Sequence, residues 1–344
     1  AVDAGTWSLW RYAAMLPTTG QVTLGEGGTP LVPLDLPAGP VTAKLEFLSP
    51  TGSYKDRGTA VLVNHLLAAG ATRVIADSSG NAGASLAAYA AAAGLTARVY
   101  VPAHAAEAKR RQIAALGAEL VAVPGPRDAA ATAARGDRTG AYASHSWHPY
   151  VLAGLATCAW EIWEQTGGSL PDVVVCPAGQ GTLLLGLARG FAALRAAGLI
   201  GAGPRLVAAQ AAACAPLARA WRQGRDPSGD AAPAPAAPAA ARPTRAEGIA
   251  TQAPVRADEV LRQVRASGGA VFAVAEADIE AAEADLARCG VLVEPTSAVA
   301  VAALPQVRRQ FGPDASVLVP LTGSGLKSLR EARCADPARS RRLT

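Results

Sequence analysis

Aromatic residues are scarce in this chain. Phe, Trp and Tyr make up 5% of its 344 residues, and there is a single Met. A core with so few rings must be built from small aliphatic side chains, mostly Ala, carried on many helices. Cysteine is sparse and odd in number, at Cys158, Cys176, Cys214, Cys289 and Cys334. No two sit at metal-ligand spacing, so free thiols in a reducing compartment are expected rather than disulfides or zinc. No run of about 18 strongly apolar residues occurs, so no helical membrane span is expected. The opening Ala1-Val2-Asp3-Ala4-Gly5 lacks a basic region followed by an apolar stretch. No signal peptide is visible there, and a cytoplasmic setting is expected. Charge of one sign is lacking too, the net being only +5. Basic residues cluster at Arg339, Arg341 and Arg342, which reads as a solvated tail rather than a nucleic-acid patch.

What is present is an alternation of strand and helix signals. Val41–Phe47, Arg73–Ala76, Ala97–Val101, Leu120–Val123, Val173–Cys176, Arg205–Ala209, Val271–Val274 and Val317–Leu321 are β-prone. Helical stretches fall at about Arg57–Ala69, Ala82–Ala93, Ala105–Leu116, Tyr150–Gln165, Thr182–Ala197, Glu276–Cys289 and Ser297–Phe311. This rhythm predicts an α/β fold with parallel sheets and helical crossovers. One segment, residues 226–243, is almost only Ala, Pro, Gly and polar residues. It has no apolar face to bury and is expected to be an exposed insertion.

Four loops, each after a strand or before a helix, combine Gly with small hydroxyl or amide residues. Such loops bring backbone N–H groups close to a ligand, and helix N-termini favour anions. The first, Ser49-Pro50-Thr51-Gly52-Ser53-Tyr54-Lys55-Asp56-Arg57-Gly58, sets one lysine before a helix. That lysine reads either as a surface residue or as an amine able to form an imine with an aldehyde. The second, Asp77-Ser78-Ser79-Gly80-Asn81-Ala82-Gly83, is either a capping cluster or a carboxylate cradle. The third, Pro177-Ala178-Gly179-Gln180-Gly181-Thr182-Leu183, follows a buried strand and opens a helix. It has the makings of a phosphate site but fits neither a Walker loop nor a dinucleotide fingerprint, and a tight turn is the plain alternative. The fourth, Leu321-Thr322-Gly323-Ser324-Gly325-Leu326-Lys327, offers a hydroxyl for a ring nitrogen or for a turn.

Each loop alone is ambiguous, but their order is not. Further blocks are Gly25-Glu26-Gly27-Gly28-Thr29-Pro30-Leu31, Ala246-Glu247-Gly248-Ile249-Ala250 and Glu294-Pro295-Thr296-Ser297-Ala298. From about Leu9 to Lys327 the chain resembles threonine synthase and its relatives in fold type II of the pyridoxal-phosphate enzymes. That group also holds serine/threonine dehydratases and the tryptophan synthase β chain. The resemblance implies two α/β domains with mostly parallel sheets. Residues 1–57 plus 151–344 would form the large cofactor-binding domain, and 58–150 a small mobile substrate domain. It implies pyridoxal 5′-phosphate held by Lys55 as a Schiff base, no metal, an amino-acid substrate and a homodimer. Asn81 would bond the cofactor's phenolic oxygen, and Ser79, Asn81 and Ala82 the substrate carboxylate. Gly179, Gln180, Gly181, Thr182 and Leu183 would hold the cofactor phosphate, and Thr322 would face the pyridine nitrogen.

A neutral hydroxyl does not keep that nitrogen protonated, so the ring is a weaker electron sink. Prompt loss of a β or γ leaving group suits it better than transamination. The expected activity is therefore that of a lyase, by elimination or replacement on an amino acid. The chain also departs from the family. The threonine synthase segment N-S-V-N-P-x-R-L-E-G-Q-K-T corresponds to His145–Thr157. Ser146 is retained for substrate, but the arginine is Val151, and the glutamate and lysine are Ala153 and Ala156. A phosphate dianion needs charge-assisted donors, and losing one costs roughly 2–5 kcal/mol. O-phosphohomoserine is thus expected to be a poor substrate. His145, Trp147 and His148 either shape a less anionic pocket or simply pack. Glu247 and Glu294 either support the site or open helices, and Lys327 is expected to be exposed. A serine/threonine dehydratase and a non-catalytic cofactor-binding protein stand as alternatives.

Overall fold

The computed structural model describes residues 2–78, 80–103, 107–125, 127–224 and 243–327. The segment 226–242 of the expected insertion, Ser79, Cys334 and the basic tail lie outside the described residues.

After a 3-10 segment at Leu9–Met15, β1 (Leu31–Leu36) and β2 (Gly39–Lys44) form an antiparallel hairpin. The chain continues through α1 (Lys55–Ala68), β3 (Arg73–Ala76), α2 (Asn81–Ala92), β4 (Thr96–Pro102), α3 (Glu107–Ala115), β5 (Glu119–Val123), α4 (Arg127–Gly136) and β6 (Ala141–Tyr142). Then come α5 (Pro149–Gln165), β7 (Val173–Pro177), α6 (Thr182–Ala196), β8 (Arg205–Ala211) and α7 (Pro216–Arg222). The last elements are α8 (Ala257–Ala266), β9 (Ala270–Val274), α9 (Glu276–Arg288), α10 (Pro295–Ala302), α11 (Leu304–Phe311) and β10 (Val317–Pro320).

Two sheets result. One has four strands in the order β5-β4-β3-β6, all parallel. The other has six, in the order β1-β2-β10-β7-β8-β9, parallel except for the β1–β2 edge. Helical crossovers between parallel strands cover both faces of such a sheet, so its central strands read as unbroken apolar runs. The strand period divides them cleanly. Val174, Cys176, Leu206 and Ala208 join the core with α5 and α6, whereas Val173, Val175, Val207 and Ala209 join the core with α9, α10 and α11.

Helix α1 packs on both α5 and α2. Its contact with α5 is nearly backbone to backbone. A Cβ added at Gly154 of α5 would stand 2.1 Å from the carbonyl oxygen of Arg57, so only glycine allows this approach.

Several sequence expectations need correction. The long helix expected at Ser297–Phe311 is two helices that break at Ala303. Pro305 has no N–H to give and its ring obstructs the preceding turn. The strand expected to reach Phe47 ends at Lys44, and Glu46–Leu48 is a 3-10 turn. Helix α1 starts at Lys55 rather than Arg57, so the lysine belongs to its first turn. Elements β1, α4, β6, α7 and α8 have no counterpart among the expected strands and helices. Strand β1 carries Pro33, which an edge strand tolerates.

Candidate active site

A cleft of about 360 Å³ is lined by the segments that follow β3, β7 and β10, by the head of α1, and by residues 143–146 and 247–251. Ligands of parallel sheets collect at the carboxyl ends of strands, where such loops meet helix N-termini. Of the residues singled out from sequence, Lys55, Asn81, Ala82, Ser146, Gly179, Gln180, Gly181, Thr182, Leu183 and Thr322 all line this cleft. Ser79 lies outside the described residues.

The loop carrying Lys55 is folded back by its own neighbour. The buried Asp56 carboxylate accepts the Thr51 backbone N–H at 2.7 Å and the Thr51 hydroxyl at 2.6 Å. Burial pushes this carboxyl up to about 6, although the hydrogen bonds from Thr51 pull it down. The loop is also stitched to the segment that bears Thr322. Tyr54 N–H donates to the Thr322 carbonyl at 3.1 Å, and Ser324 N–H to the Gly52 carbonyl at 3.0 Å. Lys55 Nζ donates to the Tyr54 hydroxyl and lies 4.1 Å from the centre of that ring.

Behind Lys55 sits a fully enclosed ion network. The Arg57 guanidinium is 0% exposed. Its nitrogens reach Glu46 at 2.7 and 2.8 Å and Glu161 at 2.9 and 3.0 Å. Lys44 Nζ donates to Glu161 and to Gln165 at 2.8 Å. Two cations thus face two carboxylates, with Thr29 and Thr157 bonding the same guanidinium. Burial opposes ionisation of Glu161, but Arg57 and Lys44 hold its carboxyl down at about 2.

Across the cleft, Gly181 precedes α6 with φ +76° and no side chain caps the helix. A Cβ there would stand 2.2 Å from Val260, so glycine shapes the turn. The first-turn N–H groups of α6 have no acceptor within the helix and suit a phosphate. Thr322 completes the set. Ser297 Oγ accepts the N–H groups of Thr322 and Gly323, both at 2.9 Å, which uses its lone pairs. Its one hydrogen then goes to Thr322 Oγ1 at 2.9 Å, the Gly323 carbonyl being farther at 3.4 Å. The Thr322 hydroxyl keeps its own hydrogen to donate, as a ring nitrogen requires.

Asn81 spans the cleft floor. Its Nδ2 donates to Glu294 at 2.8 Å, and Lys327 Nζ donates to its Oδ1 at 3.0 Å. Lys327, expected to be exposed, is therefore half-buried and engaged; Glu294 bonds Asn81, and Glu247, though exposed, lines the same cleft. Of the three residues considered for the pocket, only His145 lines it. Trp147 is 50% exposed, and His148 caps α5 by accepting the Tyr150 N–H while packing near His65. Ser297, Tyr54 and Asp77 were missed as site residues. Ser297 stood inside a quoted motif, but its bonds depend on a loop 25 residues away.

A helix head with free N–H groups, an amine and a buried hydroxyl thus meet around one cleft. Residues 22–323 match the family model described as Pyridoxal-phosphate dependent enzyme. The chain belongs to this family, and its cofactor is pyridoxal 5′-phosphate. It is 35% identical to threonine synthase of Methanosarcina acetivorans, over 93% of this chain and 80% of that protein. Threonine synthase of Synechocystis sp. is likewise 35% identical, over 92% of this chain and 84% of its own length. The solved structure of T.th. threonine deaminase superposes with a TM-score of 0.69 at 28% identity, covering 86% of this chain and 92% of that one. The chain is thus a threonine synthase-like member of the family with fold type II architecture. No described helix is long and apolar enough to cross a membrane.

Proposed function

We propose that this protein is a carbon–oxygen lyase or synthase. Its substrate is an amino acid with an oxygen leaving group on the β or γ carbon, which it eliminates or replaces. The observation that carries this reading is the meeting, in one cleft, of the Lys55 amine, the head of α6 and the hydroxyl of Thr322.

Bound pyridoxal phosphate supplies an aldehyde for the amines of enzyme and substrate and a ring that withdraws electrons from the substrate's α-carbon. The chain supplies the rest. Backbone N–H groups from Gly179 to Leu183 hold the phosphate. Asn81 directs the N–H not used by Glu294 to the phenolic oxygen. Ser79, Asn81 and Ala82 bind the substrate carboxylate, and Ser146 meets its side chain. The Lys55 amine takes the proton from Cα and returns it. Thr322 donates a hydrogen bond to the ring nitrogen without giving up a proton, so charge at Cα is best relieved by loss of a β leaving group, while a γ group leaves only after a second proton is taken from Cβ. The segment 58–150, with the four-stranded sheet, closes on the substrate and excludes water. By family resemblance the working unit is a homodimer.

O-phosphohomoserine suits this cleft poorly. Val151 is fully buried against Gly58 and does not line the cleft. A dehydratase reading, releasing ammonia and a keto acid, gains support from the likeness to threonine deaminase. A panel of serine, threonine, O-acetylserine, O-phosphoserine and O-phosphohomoserine, followed by the visible band of the holoenzyme, tests both readings. Keto-acid release marks dehydration, and a new amino acid formed with an added nucleophile marks replacement. Efficient threonine formation from O-phosphohomoserine would refute the substrate assignment. A visible band that no amino acid perturbs would refute the lyase reading in favour of a binding protein.

A further inference from the structure

Among the described residues that line the cleft, His145 is a side chain with no hydrogen-bond partner at either polar atom. Both ring nitrogens are buried and neither has a hydrogen-bond partner. A buried donor or acceptor without a partner is costly, so such groups mark places where a ligand completes the bonding. The ring lines the cleft and stands edge-on to Tyr54, with 6.2 Å between ring centres, beside the residue that carries the amine. Burial, and next the charge of Lys55, hold the imidazole well below its ordinary range. It is therefore neutral, with one N–H to give and one lone pair to accept with.

The surroundings limit what this ring can meet. Among the described residues that line the cleft, Lys55 is the one Lys or Arg and its amine is committed to the cofactor, whereas Asp77, Glu247 and Glu294 are acidic; Lys327, outside that lining, gives its Nζ to Asn81. Arg256 lies near the same loop but is committed elsewhere. Its Nε donates to the Ser146 carbonyl at 3.0 Å, its Nη2 to the Trp147 carbonyl at 2.9 Å, and its Nη1 to Glu259 at 2.8 Å. It props residues 146–147 from outside. A phosphate dianion brought here would meet a neutral ring and fixed carboxylates. An uncharged oxygen would match the ring's donor and acceptor.

Resting on the lyase reading above, we propose that His145 recognises the substrate's side chain. It selects amino acids whose β or γ oxygen is uncharged, as a hydroxyl or an acyl ester, over their phosphorylated counterparts. Alanine, which has no side-chain oxygen, serves as the internal reference because it needs the cofactor and carboxylate contacts but not this one.

The test uses holoenzyme and reads binding from the visible band of the bound cofactor. Alanine, serine, homoserine, O-acetylserine, O-phosphoserine and O-phosphohomoserine are titrated against wild type, His145→Phe and His145→Asn. Wild type is expected to bind each uncharged oxygen compound at least about tenfold more tightly than its phosphorylated partner, the size of one lost neutral hydrogen bond. His145→Phe keeps a ring of similar shape. It is expected to lose about tenfold for serine and homoserine while alanine binding and cofactor retention stay unchanged. His145→Asn, which keeps a donor and an acceptor, is expected to recover part of that loss. The inference is overturned if His145→Phe weakens alanine and serine equally, or if wild type prefers the phosphorylated compounds. If His145→Phe does not fold, the wild-type preferences and the serine-to-alanine ratio of His145→Asn still decide. A wild-type band moved by no amino acid at all would overturn the lyase reading together with this inference. A band moved by alanine and serine without discrimination would overturn this inference alone.

Discussion

The two sides of the first turn of α1 are built on opposite principles. On the inner side, Arg57, Lys44, Glu46 and Glu161 are sealed from water, and the three guanidinium nitrogens of Arg57 all reach oxygen atoms. On the cleft side, His145 and one oxygen of Glu294 are buried with no partner at all. Lys55, two positions before Arg57, lines the cleft. A closed charge network tolerates burial because every member is answered, and removing one member exposes the others to the full cost of desolvation. Open polar groups have a use only when something arrives to bind them. The contrast divides residues that hold the amine in place from residues that meet the ligand.

The contrast breaks most visibly at Lys55. Lys55→Ala is expected to reduce turnover by a factor on the order of a thousand or more and to abolish the lysine-dependent visible band, with little change in thermal stability. Stopped assays and melting curves on the same preparation check this, and a variant that retains turnover contradicts it. Next in size is Arg57→Met, which leaves the buried Glu46 without a cation and Glu161 with Lys44 alone. A loss of about 3–5 kcal/mol in urea unfolding is expected. Equal losses from Arg57→Met and a cleft-side change such as Glu294→Gln would erase the distinction between the two sides.

The third prediction concerns acid. The Glu161 carboxyl lies at about 2 in the folded chain against an ordinary 4.5. A depressed folded value means stability that is present above the unfolded value and lost as pH falls through the folded one. The loss should fall between about pH 4.5 and 2 and amount to about 3 kcal/mol. Glu161→Gln should weaken the protein at neutral pH and remove this part of the acid slope, as chemical denaturation at several pH values would reveal. The smallest effect belongs to Ser297→Ala, which orphans two backbone N–H groups and frees the orientation of the Thr322 hydroxyl. About tenfold weaker cofactor retention is expected, measured by dialysis and the visible band. Unchanged retention would mean that Thr322 orients itself without help.

Much of the architecture could be read from the chain because parallel strands buried on both faces write themselves as apolar runs. Val173–Cys176 and Arg73–Ala76 are such runs, and the glycine loops behind them marked the cleft in advance. Strand β1 escaped because Pro33 interrupts its pattern, and β6 because two residues carry no period. Helix α8 buries Val260, Leu261 and Val264, a helical spacing that is legible in the sequence. The ion network was invisible for a different reason. Lys44 and Glu161 are 117 positions apart, and each alone looks like a surface charge. The same holds for Lys327, whose partner Asn81 is 246 positions away. His145 stood in the sequence as one of three polar or aromatic residues in a single segment, and its place in the cleft lining and the burial of its nitrogens set it apart from Trp147 and His148.

The bare glycine at position 154 turns a packing detail into a control on chemistry. Because the backbone of α1 rests directly on α5 there, the interhelical gap fixes how far the reactive amine protrudes. A methyl group at that one position would meet the Arg57 carbonyl and force the two helices apart, shifting the amine without altering a single residue that lines the cleft.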